Sequence, residues 1–170
     1  ANTEIYTLSY TTLFRSGDLD AFPKSRSLGY TGVSTKACKG FYKSLLNLAR
    51  CRQWNGANNG PYFMSAEDLT TQPGLSLQQD LSLVSLLGIG HVERNAHHFI
   101  DGFNGRPQSE ARAYLRAHPD LYERQGEHVR LRIERGEVAI GSLGGPGFGS
   151  SVNPDLDSTA PMPRSRWPAP

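Results

Sequence analysis

Lys36 and Lys39 stand in the pattern K-x-x-K-G, where the β-branched run Tyr30 to Thr35 gives way to an amphipathic stretch that opens at Phe41. A lysine delivered by the carboxyl end of a strand can serve as a general base when burial and neighbouring cations lower its pKa. Lys39 can contribute to that by like-charge repulsion. A second assignment also fits both residues: solvated lysines at a helix start. Glu67 and Asp68 follow the apolar run Pro61 to Met64, and Glu93 and Asn95 close or follow the run Ile89 to Glu93. Acidic and amide groups at strand ends can hold a substrate or hydrogen-bond a reacting carboxylate, whereas Asp68 or Thr70 can also cap the next helix. His91, Glu93, His97 and His98 make a third constellation. Imidazole and carboxylate suit zinc, but H-x-E-x-x-x-H-H is not the H-E-x-x-H spacing that sets two histidines on one helical face. Loop histidines, hydrogen-bonded or solvated, fit the flanking Gly90 and Gly102 better. The GGPGFG run lacks the lysine of a phosphate loop and precedes no helix, so it reads as a turn.

The elements that must position these residues repeat. Phe41, Leu45, Leu46, Leu48 and Ala49 recur at helical spacing, with Lys43, Asn47 and Arg50 between them, and Trp54 to Gly56 end the helix. Pro73 opens a second helix carrying Leu75, Leu77, Leu81, Val84 and Leu87, which stops at Gly88. Strand starts near residues 31, 61 and 89 give a repeat of about 30 residues, the length of one unit of a (β/α)8 barrel. The pattern βαβαβ implies a parallel sheet with crossover helices. Before it, Asp18 to Leu28 reads as the tail of a helix with Leu19, Phe22 and Leu28 on its apolar side. After it, residues 91 to 107 read as loop, 108 to 117 as a short helix, and Val129 to Ile133 with Val138 to Ile140 as a β-hairpin turning at Arg135-Gly136. An irregular glycine-rich tail and a frayed proline-rich end follow.

Composition sets the outer bounds. With 18 basic and 16 acidic residues among 170, the net charge of +2 carries no nucleic-acid signature. Cys38 and Cys51 read as reduced thiols. No apolar run reaches the length of a membrane span and no signal peptide is visible, so the expectation is a cytoplasmic chain with no membrane partner.

Strand, Lys36, K-x-x-K-G and helix together resemble the sixth-strand region of the enolase superfamily, in its muconate lactonizing enzyme and mandelate racemase branch. YFMSAEDLTTQPGLSLQQDLSLVSLLGIGHVE is similar to that branch's seventh strand, seventh helix and eighth strand, and RGEVAIGSLGGPGFGSSVNPDLD resembles its closing segment. The resemblance covers about residues 17 to 158. It implies a partial (β/α)8 barrel of about three parallel strands over residues 17–100, with a C-terminal helix, hairpin and glycine-rich segment over 101–158; the proline-rich composition makes 159–170 a flexible tail. It further implies proton abstraction α to the carboxylate of a small substrate, leading to racemisation, cycloisomerisation or dehydration. Lys36 would be catalytic, and Lys39, Glu67, Asp68, Glu93 and Asn95 would bind substrate. Intact members hold Mg2+ on carboxylates of strands three to five, which this chain does not contain. The expectation is therefore a C-terminal fragment of such an isomerase or lyase, inactive alone and without a metal or cofactor of its own. Residues 3–16, TEIYTLSYTTLFRS, resemble a translated sequencing adapter, which makes 1–16 a non-native segment; an authentic strand is the other reading of the same residues. Two further function classes stay open: a small metal-binding protein using His91, Glu93, His97 and His98, and a non-catalytic α/β binding module.

Overall fold

A computed structural model of the chain describes residues 18–58, 60–68, 72–90, 92–94 and 101–159; the side chains of Asn58, Glu67, Asp68, Glu93 and Arg94 lie outside that description. The expected adapter-like segment 1–16, the proline-rich end from Pro161, and the positions His91, Asn95, His97 and His98 also lie outside the described residues.

The described chain is mixed α/β, with a three-stranded parallel sheet and a two-stranded antiparallel one. The order is α1 (Ala21–Ser27), β1 (Gly32–Thr35), a 3-10 turn (Ala37–Lys39), α2 (Phe41–Asn58), β2 (Phe63–Asp68), α3 (Leu75–Leu87) and β3 (Val92–Arg94). Then come α4 (Gln108–Ala117), β4 (Tyr122–Gln125), β5 (His128–Leu131) and a second 3-10 turn (Gly141–Gly144). The three strands are parallel, as crossover helices between them imply, and run in the order β1-β2-β3; no closed barrel forms among the described residues. No described helix is long and apolar enough to cross a membrane.

Two apolar clusters hold this together, and α3 belongs to both. Val33 and Met64 from the sheet pack with Cys51 of α2, Leu83 and Leu87 of α3, and Phe22 of α1. Leu77 and Leu81 on another face of α3 pack with Phe103, Tyr114, Leu121, Tyr122, Val129 and Leu131. The C-terminal segment is fastened to the second cluster by polar contacts. Arg106 pairs with Glu110 at 2.6 Å and also donates to the Asp155 carbonyl, while Glu110 accepts the Asp155 amide. His118, buried, meets Ser142 at Nδ1 (2.9 Å) and Ser151 at Nε2 (2.5 Å).

Several boundaries differ from those the pattern predicts. Helix α2 runs through Trp54 and Gly56 to Asn58 rather than ending there. Trp54 packs against Phe22 and Tyr62, and the Asn55 amide brackets Tyr62 by accepting its N–H and donating to its carbonyl. These tertiary contacts outweigh the cost of about 1 kcal/mol that a helical glycine carries. Asn47, expected on the polar face, is buried, while Leu46 is exposed. In α1 only Phe22 of the expected apolar trio is buried, and Leu19 and Leu28 face solvent. β2 and β3 both begin later than expected, so Glu67 and Asp68 lie within β2 rather than beyond it.

The hairpin partner also differs. β5 pairs with β4, not with Val138 to Ile140, and Arg135-Gly136 forms a tight turn closed by the Glu134–Glu137 bridge. Tyr122 to Gln125 carries one aromatic and three polar residues, too little alternation to read as a strand. Its burial comes from Tyr122, whose hydroxyl accepts the Gly74 amide at 3.0 Å.

Candidate active-site edge

The sheet register decides which sequence candidates meet. Thr35 is level with Ala66, and Ala66 with Val92; one residue on, Glu67 is level with Glu93. Lys36, which follows Thr35 in extended conformation (φ −157°, ψ 160°), therefore stands at the level of Glu67 and Glu93 at the carboxyl edge. Neighbouring strands are spaced about 4.8 Å, so the three backbone positions span about 10 Å. Asp68 is level with Arg94 one step further. Asn95 lies outside the described residues, as do the histidines of the candidate zinc cluster. The N-cap of α3 is Gly74, without a side-chain cap, while Thr70 and the Asp68 side chain lie outside the described residues.

Alternation explains why Lys36 is only half-buried. Val33 and Thr35 are buried, and Val33 lies in the cluster with α2 and α3. Ser34, on the opposite alternation and level with Ser65, precedes Lys36 on the other face. The chain then turns at once. Lys39 N–H donates to the Lys36 carbonyl and Gly40 N–H to that of Ala37, both at 3.1 Å. Gly40 has φ 107°, a conformation that a side chain would strain, and it hands the chain to α2.

This turn is braced from two helices. From α2, the Ser44 hydroxyl donates to the Gly40 carbonyl at 3.1 Å and contacts the Thr35 hydroxyl, both side chains being buried. From α3, the Asp80 carboxylate accepts the Ala37 N–H at 2.5 Å. Asp80 is itself buried, and burial pushes its carboxyl above the usual range, while the Ala37 amide and the charge of Lys36 act in the opposite sense. Sequence reading missed Asp80. In LSLQQDLSLVSLL it follows two glutamines, and the partner that sets it apart stands 43 positions earlier.

No family model, curated protein or solved structure matches the chain. The site therefore stands on its own geometry. Lys39 closes the turn as its last residue, half-buried, and Cys38 between the two lysines is exposed. Among the described residues no group of three His, Cys, Asp or Glu side chains stands together as a metal would require. The 660 Å³ groove lined by Leu81, Val84, Ile89, Val92, Ile133 and Val138, with Glu137 among them, is mostly apolar, and Lys36 does not line it.

Proposed function

We propose that this chain carries part of the active-site edge of an enolase-superfamily enzyme, with β1, β2 and β3 as consecutive strands of its (β/α)8 barrel. Lys36 is the base that removes a proton α to the carboxylate of a small substrate. The observation that carries the reading is the register that sets Lys36, Glu67 and Glu93 level at the carboxyl edge of adjacent parallel strands, the edge where α/β proteins bind ligands. Two crossover helices contributing to one cluster with the sheet add support, since a barrel carries its helices on the outer face.

In this reading the neutral amine of Lys36 takes the proton, and the electron pair of the broken C–H bond moves onto the substrate carboxylate. Lys39, Glu67, Asp68, Glu93 and Asn95 contact the substrate around it. The Mg2+ that the superfamily employs would be held by carboxylates of strands three to five, outside these 170 residues, and would stabilise the charge that moves onto the substrate carboxylate.

The test is isotope exchange. Joined to an upstream barrel portion of a superfamily enzyme, the chain should exchange the substrate α-proton with solvent deuterium. Lys36→Ala should lower that exchange by about 10²- to 10⁴-fold, the usual contribution of a general base, and Lys39→Ala by much less. Loss with Lys39→Ala alone would move the base to Lys39. Indifference to both would remove the main support for the family.

A further inference from the structure

We propose that Ser151 and His118 form a second, acyl-transfer site: the exposed Ser151 hydroxyl is a nucleophile toward esters of small carboxylic acids, and His118 is its general base. The site uses no residue of the Lys36 edge and does not rest on the role given to it.

His118 closes α4, and its backbone is tied on both sides. Its N–H donates to the Tyr114 carbonyl at 2.9 Å, and its carbonyl accepts the N–H groups of Leu121 and Tyr122. The residue is 2% exposed, and each ring nitrogen meets a serine hydroxyl of the glycine-rich segment, Ser142 at Nδ1 (2.9 Å) and Ser151 at Nε2 (2.5 Å). Burial lowers the histidine pKa against the charge of Asp120, so the ring is neutral at neutral pH. A neutral imidazole offers one N–H and one lone pair, so one of the two hydroxyls must donate to it. Asp120 decides which. Its carboxylate takes the Ser142 N–H at 2.9 Å and so sets a negative charge on the Ser142 side of the ring. An anion on that side favours the proton on Nδ1, and we assign the tautomer accordingly, with the Nε2 lone pair facing Ser151. The Ser151 hydroxyl then donates to its base, while Ser142 orients the ring as the third member. Ser151 is exposed and Ser142 only partly so, which makes Ser151 the hydroxyl a substrate can reach. The hydroxyls of exposed Ser27 and Ser158 donate instead to the carbonyls of Lys24 and Asp155.

In the reaction the Ser151 oxygen bonds to the ester carbonyl carbon as its proton passes to Nε2. Collapse of the tetrahedral adduct breaks the bond to the alcohol oxygen, which leaves with that proton. Water, deprotonated by the same nitrogen, then attacks the acyl-serine, and the proton returns to Ser151 as the acid departs. Ester and water become acid and alcohol.

The experiment uses the 170-residue chain. A fluorophosphonate, which phosphonylates activated hydroxyls with loss of fluoride, should modify Ser151 at least about 10²-fold faster than Ser27 or Ser158, the lower end of what a general base contributes. Mass spectrometry of the three peptides reads the rates. His118→Gln should bring Ser151 down to the rate of the other two. With p-nitrophenyl acetate the chain should release more than one equivalent of nitrophenolate, and Ser151→Ala should remove most of that release. Equal rates at the three serines overturn the proposal, because contacts that only fasten the C-terminal segment leave Ser151 no more reactive than Ser27. Nitrophenolate release that survives S151A in full overturns it as well. If H118Q does not fold, the ratio of the three rates in the unaltered chain decides alone. Isotope exchange in the barrel chimera enters neither readout, so the two ideas fail separately.

Discussion

Cys38 and Cys51 illustrate how the same residue type is given opposite chemistry. Cys51 is buried in α2, and burial pushes its thiol up to about 11, whereas Cys38 is exposed in the Lys36 turn. The thiolate is the reactive form, so at pH 8 an alkylating reagent should modify Cys38 and spare Cys51 until denaturant is added. Mass spectrometry of the two peptides checks this. His118 offers a pH prediction. Burial lowers its pKa, opposed by the charge of Asp120. A histidine depressed in the folded state adds stability that is full above the unfolded value of about 6.5 and is lost as pH falls below it. Denaturation midpoints should therefore drop between pH 7.5 and 5.5. His118→Gln should be weaker at pH 7.5, through loss of the serine contacts, yet flatter across that window. That Lys36 stands at the carboxyl end of a strand was legible from sequence, because the β-branched run up to Thr35 precedes it and Gly40 breaks the pattern before the helix. Asp80 was not, because burial of a carboxylate depends on where a distant amide arrives.

At the scale of elements, helix existence was legible and strand boundaries were not. Helices α3 and α4 follow their apolar spacing and end as expected, at Gly88 in left-handed conformation and at His118. β2 moved toward Glu67 and Asp68 because pairing with β3, not side-chain character, defines its end. β4 escaped notice because its partner sits across a turn at Gly126 that carries few apolar residues. Glycine positions give a paired test. A methyl group on Gly102, φ 55°, would run into the backbone carbonyl of Val129, whereas on Gly126, φ 59°, it would meet nothing. Both alanines suffer the left-handed conformation, about 1 kcal/mol. Gly102→Ala should lose about 3 kcal/mol or more because the Phe103 N–H bond to Val129 must also shift, and urea denaturation of the pair measures the difference.

For the whole molecule the governing feature is α3, which sends Leu83 and Leu87 into the cluster with the parallel sheet and Leu77 and Leu81 into the cluster with α4, β4 and β5. Leu83 and Leu77 are both essentially inaccessible, so truncating either to alanine should cost about 2 to 5 kcal/mol. The losses should be distributed differently. Hydrogen exchange should accelerate first in β1 and β2 for Leu83→Ala, and first in β4 and β5 for Leu77→Ala. An identical pattern for both would mean a single cooperative unit. The arrangement also has a consequence for synthesis on the ribosome. The sheet and its helices emerge first and can assemble once β3 is made, but Leu77 and Leu81 then face water until Phe103, Tyr114 and Tyr122 have been translated. At about 5 to 20 residues per second, that leaves an apolar stripe uncovered for about one to several seconds in each nascent chain. A chaperone that recognises such stripes would meet this chain at α3.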